Sequence, residues 1–186
     1  DMARVFTGWS VQDKAFSYFD FLHDTGPKSV LGLSLIGNEG QDEGRQVLDL
    51  LAAHPSTASN LCKKLQVFLV TDTPALQDIA SCANVFLSPN GDIGAVVASI
   101  LHSPAFSADD QFKSKVKTPL EFMTGLARGM SEEVSNEHLR AFLSMLGMPS
   151  FYCVPPTGWS EIGAYWVNSA QLWTRTQATV STLFNT

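Results

Sequence analysis

Apolar residues recur at helical spacing in two consecutive segments, and this pattern constrains the fold more than any other feature. In residues 56–70 the apolar positions run from Ala58 at i to Leu69 at i+11, through i+3, i+4, i+7 and i+10. A second segment, which Thr73 and Pro74 would begin, repeats the spacing from Leu76 to Leu87. Such spacing places the apolar side chains on one helical face. Both segments therefore predict amphipathic helices that pack on the protein core.

Five further helices are predicted from the same spacing and from capping residues. They cover residues 42–54, 92–102, 118–130, 136–146 and 160–173, the last with an extension toward Phe184. Asp92 and Ser160 are expected N-caps, and Thr118-Pro119-Leu120-Glu121 combines a capping box with proline at N1. The aromatic-rich run 15–22 and the run 29–36 predict two strands of one hairpin. The expected fold is mainly α, a single domain over residues 1–186 with about seven helices and one short β-hairpin near the N-terminus.

Charge and hydropathy exclude several classes of partner. The chain has 186 residues, with 12 Lys and Arg against 18 Asp and Glu and a net charge of −6. A nucleic-acid or anionic-membrane surface would need a basic face, which this composition argues against. No apolar run reaches the ~20 residues that a membrane-spanning helix requires. We therefore expect no nucleic acid and no membrane span.

The three cysteines allow at most one disulfide. Cys62 and Cys82 fall on the apolar faces of adjacent predicted helices, so we favour their interpretation as small buried hydrophobic residues, with a disulfide as the alternative. Cys153 is distant from both along the chain. No CxxC pair and no histidine pair has the spacing of metal ligands, and no cofactor motif occurs, so neither a metal nor a cofactor is predicted. Residues 1–6 resemble the last turns of a helix, from which we expect the chain to be a piece of a longer protein.

The most polar cluster on a predicted turn is His23-Asp24, followed by Gly26 and Lys28. A histidine beside an aspartate could act as a general base, but an Asx-turn to its own backbone is the simpler role for Asp24. His54 and His102 are expected to cap the C-terminal ends of helices. No catalytic residue is assigned, because no serine or cysteine has a spacing that sequence alone could pair with a histidine.

Two aromatic features invite binding hypotheses. The irregular stretch 147–159 is rich in apolar residues, so Phe151, Tyr152, Val154 and Trp159 are candidates for contact with a partner. Trp166 and Trp173 lie seven residues apart, on one stripe of the last predicted helix. Core packing is their expected role, with a platform for a sugar or a cofactor as the alternative.

Several segments resemble one bacterial family over the whole chain. The matching residues are 3–9, 23–28 with Leu31 and Gly32, 47–58, 61–65, 90–93, 116–122, 155–159, and Trp166, Asn168, Ser169, Leu172 and Arg175. The chain resembles the carboxyl-terminal part of the family called domain of unknown function eighteen hundred. The resemblance implies a longer, mostly helical and often exported protein, secreted or periplasmic, whose gene frequently neighbours one for a sulfatase-like or alkaline-phosphatase-like exported protein. It also implies that an amino-terminal half is absent, and it carries over no catalytic residue.

Within the matching segments, Gly26, Gly32 and Gly158 are expected at turns. Lys28 and Arg175 stand out as long cations among packing residues, suited to pair with a carboxylate or to bind an anion. His23, Asp24, Lys28 and Arg175 are thus the candidate polar or anion site.

Two hypotheses about function follow. The favoured one is a non-catalytic helical module of an exported bacterial protein, which completes a larger fold or assembles with another chain through residues 147–159 and an exposed edge at residues 1–9. The alternative is part of a hydrolase-like enzyme acting on an extracellular polymer or phosphoester. In that case His23, Asp24, Lys28 and Arg175 would contribute to a site shared with the missing half. Ligand binding by the tryptophan-rich end is a third hypothesis.

Overall fold

The fold is mainly helical, as predicted. The computed structural model describes residues 1–88, 91–130 and 135–184. Its helices there are α1 (Met2–Val5), α2 (Gln41–Ala52), α3 (Pro55–Leu69), α4 (Leu76–Leu87), α5 (Ile93–Leu101), α6 (Pro119–Met130), α7 (Asn136–Met145) and α8 (Ser169–Phe184). Its strands are β1 (Trp9–Gln12), β2 (Ala15–Tyr18), β3 (Lys28–Val30) and β4 (Leu33–Leu35). None of these helices is long and apolar enough to cross a membrane.

The four strands form two separate antiparallel hairpins, so the predicted pairing of run 15–22 with run 29–36 is wrong. In the first hairpin Trp9 faces Tyr18, and in the second Lys28 faces Leu35. Both turn on two residues with positive φ, 50° and 63° at Asp13-Lys14 and 49° and 86° at Leu31-Gly32. Such φ values are those of the type I′ turn, whose twist suits a two-residue hairpin loop. The strand in run 15–22 is β2, which pairs with the preceding β1, whereas run 29–36 was predicted as one strand and instead folds back at Leu31-Gly32 to form most of the second hairpin.

Within the part of the chain that the structure describes, buried apolar residues form three clusters. The first cluster lies between α1, β3 and β4 of the second hairpin, and α2. The third cluster lies between α6, α7 and α8. The members are Val5, Val30, Leu35 and Val47 in the first cluster, and Met123, Leu143, Leu146 and Ala178 in the third. The second cluster joins α3, α4 and α5 through the apolar faces that their spacing predicted.

A disulfide joins Cys62 of α3 to Cys82 of α4 inside the second cluster. Our interpretation of these residues as unbonded buried cysteines is therefore wrong, although their burial was predicted correctly. Because both lie on the inward faces of helices that pack on each other, their Cα atoms come to 5.8 Å. That separation is within the range a disulfide spans. Cys153 is a free thiol.

Capping residues marked several helix boundaries correctly, but not that of α4, which begins at Leu76 with Ala75 as its N-cap rather than at the predicted Thr73 and Pro74. The Asp92 carboxylate accepts the Ala95 amide at 3.1 Å, and the Thr118 amide donates to Glu121 at 2.8 Å, as the predicted capping box requires. His102 ends α5, where its Nδ1 lies 2.7 Å from the Ala98 carbonyl oxygen. His54 differs from its prediction, because its Nδ1 accepts the Ser56 amide and so caps the N-terminus of α3.

The last helix begins at Ser169, nine residues after the predicted cap at Ser160. Residues Gly163–Trp166 form a 3₁₀ turn instead, and the Ser160 carbonyl oxygen accepts the Trp166 indole N–H at 2.7 Å. The Asn168 side chain accepts the Gln171 amide and opens α8. Trp166 is buried and lies outside α8, whereas Trp173 lies within α8 and is largely exposed, so the predicted shared helical stripe is wrong and core packing is confirmed for Trp166 alone.

Candidate functional site

Three ionisable side chains meet beneath the second hairpin, and we call His23, Lys28 and Glu43 the buried cluster. His23 follows a 3₁₀ turn at Asp20–Leu22, Lys28 opens β3, and Glu43 lies in the first turn of α2. In β3, Lys28 and Val30 point inward while Ser29 points outward. The two-residue period of a strand therefore aims the Lys28 side chain at α2.

Glu43 is the centre of the buried cluster. Its Oε2 atom lies 2.7 Å from Lys28 Nζ and 3.4 Å from His23 Nε2. The Lys28 ammonium also donates to the Asp24 carbonyl oxygen. The side chains of Lys28 and Glu43 are completely excluded from solvent, and that of His23 is 1% exposed. Each of these two charges requires the other at this depth, because an isolated buried charge is strongly unfavourable.

The His23 ring is oriented by the loop that follows α1. Its Nδ1 atom lies 2.9 Å from the Thr7 carbonyl oxygen, which can only accept, so Nδ1 carries the hydrogen. The Thr7 hydroxyl accepts the Asp24 amide at 2.8 Å and donates to the Arg4 carbonyl oxygen at 2.6 Å. These bonds leave Nε2 facing the Glu43 carboxylate.

Asp24 forms the predicted Asx-turn and a further ion pair. Its carboxylate accepts the Gly26 amide at 2.8 Å and binds both Nε and Nη2 of Arg4, at 2.8 and 2.9 Å. The Arg4 guanidinium, followed by the Gly26 amide, holds the pKa of Asp24 well below its usual range. A Cβ on Gly26 would lie 2.5 Å from Arg4 Nη2, so this turn position keeps room for the guanidinium.

The electrostatics of Glu43 favour its ionised form. Burial alone would raise the pKa of Glu43, but hydrogen bonding and attraction from Lys28, with a smaller effect from His23, lower the pKa overall. The buried cluster is therefore an ion pair with a histidine beside it. Because solvent does not reach its side chains, a substrate does not reach them in this conformation. The contacts of the buried cluster instead hold β3 and the loop at residues 23–28 against α2.

Close packing of Trp9 on Gly44, the residue after Glu43, also holds β1 against α2. The Trp9 ring lies over Gly44, where a Cβ would approach Trp9 Cζ2 to 2.4 Å. Trp9 also makes edge contacts with Phe6 and Phe16, at ring-centroid distances of 5.2 and 5.0 Å. Only a residue without a side chain allows β1 to approach α2 this closely.

Arg175 lies in a different environment from the other three candidate polar residues. It extends from α8, donates from Nη2 to the Lys117 carbonyl oxygen at 2.8 Å, and has its guanidinium 5.0 Å from the centre of the Phe122 ring. Burial lowers the pKa of Arg175. The structure thus brings together His23, Asp24 and Lys28 but gives Arg175 contacts in the α6–α8 region.

Sequence reasoning missed two members of this site. Glu43 was placed only within the helix predicted over residues 42–54, and Arg4 only within a segment that matches the family. A signal for Glu43 existed, because Lys28 precedes the apolar Val30 by two residues and therefore had to be buried with a counter-ion. No comparable signal in the sequence points to the Arg4–Asp24 pair.

The second candidate site is the aromatic segment, which we define as Phe151, Tyr152, Val154 and Trp159. The Phe151 side chain is fully exposed, Val154 is 92% exposed and Tyr152 is 78% exposed. Trp159 is half-buried and lies edge-on to Trp166, with ring centroids 6.2 Å apart. Phe151 also has a φ of 63°, which is uncommon for a residue other than glycine. Three large apolar side chains are therefore presented to solvent within four residues.

The expected exposed edge at residues 1–9 is only partly present. Met2 is exposed, but Val5 is completely buried, and Phe6 packs against the first apolar cluster. The expectation is thus wrong for Val5. Its α1 neighbour Arg4 anchors this end of the chain through Asp24.

Metal ligation has no candidate among the described residues, where no group of three His, Cys, Asp or Glu side chains could hold an ion.

The other predicted turn glycines have the expected conformation, with φ of 86° at Gly32 and 83° at Gly158.

Comparison with known proteins identifies a family. No curated protein and no solved structure matches the chain. A family model described as protein of unknown function (DUF1800) matches residues 1–184. The match covers nearly the whole chain, including both candidate sites. The chain therefore belongs to the DUF1800 family of proteins of unknown function.

Proposed function

We propose that this protein is a non-catalytic binding module of an exported bacterial protein, which assembles with another polypeptide through the aromatic segment. The observation that carries the proposal is the exposure of Phe151, Tyr152 and Val154 together. Contiguous exposed apolar residues are costly in water and are typical of protein contact sites. Aromatic side chains in particular supply much of the binding energy at such sites.

The disulfide supports the exported location. Disulfides persist in oxidising compartments and are rare where cellular thiols keep cysteines reduced. Cys62 and Cys82 are placed by α3 and α4 at bonding distance within an apolar cluster. A secreted or periplasmic location, which the family resemblance implies, agrees with this bond.

The burial of the charged residues supports a non-catalytic role. A general base must come within hydrogen-bonding reach of its substrate. His23, Lys28 and Glu43 are enclosed, and each is directed at another member of the buried cluster. The hydrolase hypothesis stays a prediction, and it requires an opening of the second hairpin that exposes these groups.

Site-specific photo-crosslinking tests the proposal. A photoreactive benzoylphenylalanine replaces Tyr152 in the protein produced in its native host. A matched protein carries the same group at Phe21, which is an equally exposed aromatic position in another part of the chain. We expect one discrete adduct of higher mass from position 152 and none from position 21.

The adduct also has to depend on its neighbours. In a Phe151→Ser/Val154→Ser background, whose helices are untouched, the adduct from position 152 should disappear. Absence of any adduct from position 152, or identical adducts from positions 152 and 21, would contradict assembly through the aromatic segment.

A further inference from the structure

A groove of about 730 Å³ runs between α3 and residues 155–165. Its volume is within the range of about 300–1,000 Å³ typical of ligand pockets. Phe68 lies on the α3 side, and Trp159, Ile162 and Tyr165 lie on the other. The residues that contribute polar groups are Asn60, Lys63, Lys64, Thr157, Ser160 and Glu161. Apolar walls with a few polar groups at the edge are the usual composition of a small-molecule site.

The two walls of the groove are held in position by an ion pair below them. Lys115 Nζ lies 2.7 Å from the Asp72 carboxylate and also donates to the carbonyl oxygens of Val67, in α3, and Glu161, in the opposite wall. Asp72 in turn accepts the Gly163 amide at 2.6 Å. One lysine and one aspartate therefore connect both walls. A site whose walls are fixed in advance loses less conformational entropy when a ligand binds.

The aromatic wall is supported from behind. Trp166 is 1% exposed and makes edge contacts with Trp159 and Tyr165, at centroid distances of 6.2 and 4.9 Å. Its indole N–H is bonded to the Ser160 carbonyl oxygen. Trp159 and Tyr165 thus have a rigid partner, whereas Tyr165 itself remains 64% exposed on the groove side.

The charge at the edge of the groove is positive, in a protein whose net charge is −6. Lys63 and Lys64 line it together with one carboxylate, Glu161. Across the described residues, no ion pair involves either of these two lysines or Glu161. The groove therefore combines an apolar body with two unpaired ammonium groups at its edge.

We propose that this groove binds a small amphipathic organic acid, with an aromatic or alicyclic body between Phe68 and Tyr165 and a carboxylate beside Lys63 and Lys64. The apolar walls select the body by burial of its surface, and the two ammonium groups select the sign of its charge. The site adjoins the aromatic segment and shares Trp159 with it, but Phe68, Lys63 and Lys64 are not part of that segment. Binding here goes beyond the proposed assembly and can be tested independently of it.

Three naphthalene probes of one shape separate the contributions of body and charge. They are 2-naphthoate, the neutral 2-naphthamide and the cationic 2-naphthylmethylammonium, each titrated into the purified protein by calorimetry with heteronuclear NMR to locate the site. For a ligand of roughly 13 non-hydrogen atoms such as 2-naphthoate, we expect a Kd of about 1 mM or lower. The amide should bind about two- to fivefold more weakly, and the cation more weakly still.

Variants of exposed groove residues complete the test. Lys63→Gln/Lys64→Gln should weaken binding of 2-naphthoate about two- to fivefold while leaving 2-naphthamide unchanged. Phe68→Ala should weaken all three probes, whereas the matched control Phe21→Ala should weaken none. Circular dichroism establishes that each variant is folded.

The opposite results would overturn the proposal. They are equal affinity for the anionic and cationic probes, NMR shifts located away from α3 and residues 155–165, or affinity for 2-naphthoate that is unaffected in both the lysine variant and Phe68→Ala. None of these results depends on whether the aromatic segment binds another polypeptide.

Discussion

Lys28 Nζ lies 2.7 Å from Glu43 Oε2, with both side chains fully excluded from solvent. This contact fastens β3 onto α2 across a sequence separation of 15 residues. It also brings His23 and the Asp24 carbonyl oxygen to the same point. The ionisable residues that are best suited to chemistry thus hold the N-terminal third of the described chain together.

Removal of one partner of this pair should be strongly destabilising. Lys28→Met or Glu43→Leu alone leaves an uncompensated buried charge, so we expect the free energy of unfolding to fall by about 3–5 kcal/mol. The double variant Lys28→Met/Glu43→Leu should recover most of the loss, because both charges are then absent. Urea denaturation measures all three. The exposed pair Asp42–Arg45 is the control, and Arg45→Ala should cost less than about 1 kcal/mol. Additive losses in the double variant would contradict the role of the pair.

Stability should fall in acid because of Asp24 and Glu43. Both have pKa values below those of the unfolded chain, which are about 3.9 for Asp and 4.3 for Glu. A carboxyl whose pKa is lower in the folded state contributes stability above its unfolded pKa, and this contribution is lost as the pH falls through the folded pKa.

Urea denaturation between pH 7 and pH 2 tests this dependence. We expect a plateau above about pH 5 and a decline below about pH 4. The variant Lys28→Met/Glu43→Leu should show a shallower decline, since one of the two carboxyls is gone. A slope identical to that of the wild-type protein would show that Glu43 does not contribute.

The Cys62–Cys82 disulfide should stabilise the packing of α3 on α4. It closes a loop with a sequence separation of 20 residues, for which loop-closure entropy predicts a contribution of about 3 kcal/mol. Cys62→Ala/Cys82→Ala should lower the free energy of unfolding by that order. Cys153→Ser, which removes the free thiol, should leave it unchanged. Intact mass before and after reduction under denaturing conditions should differ by two hydrogens, and no difference would contradict the bond.

The capping box of α6 gives a local prediction. Thr118→Ala removes a side-chain acceptor for the Glu121 amide and a donor to its carboxylate, at a cost of about 1 kcal/mol. The matched control is Thr124→Ala in the same helix, where the hydroxyl only bonds carbonyl oxygens of the preceding turn. That change should be nearly neutral, because alanine is the better helix former. Equal losses in the two variants, measured by thermal unfolding, would contradict the cap.

The helices could be predicted from sequence because their determinants are local. The i, i+3, i+4 spacing in α3 and α4 and the caps at Asp92 and Thr118 each involve residues within a few positions of one another. Ser160 was an incorrect cap because its carbonyl oxygen is occupied by the Trp166 indole, a contact that helical spacing does not reveal. The strand pairing was not found, because β2 pairs with the preceding segment 9–12, whose own pattern is weak, and because the turn at Leu31-Gly32 divides run 29–36 into two strands that pair with each other.

The candidate site was only partly predictable for the same physical reason. His23, Asp24 and Lys28 are close in sequence, so their common location could be expected. Glu43 and Arg4 reach them from α2 and α1, and the identity of these partners depends on tertiary packing. Arg175 was grouped with Lys28 because both are long cations in matching segments. Their contacts, however, lie in different parts of the fold.

The most direct test of the account compares two variants produced in the native host. One is Phe151→Ser/Tyr152→Ser/Val154→Ser, which removes the exposed apolar side chains. The other is Lys28→Met/Glu43→Leu, which removes the buried ion pair while retaining the aromatic segment. The measurement is the fraction of the tagged protein in a high-mass assembly on native gels, with the mass of the assembly verified by light scattering.

The account predicts that the wild-type protein and Lys28→Met/Glu43→Leu are found in the same assembly, whereas the triple serine variant is folded but released from it. An assembly that persists in the triple serine variant, or one that is lost only when Lys28 and Glu43 are replaced, would contradict the proposed role of the aromatic segment.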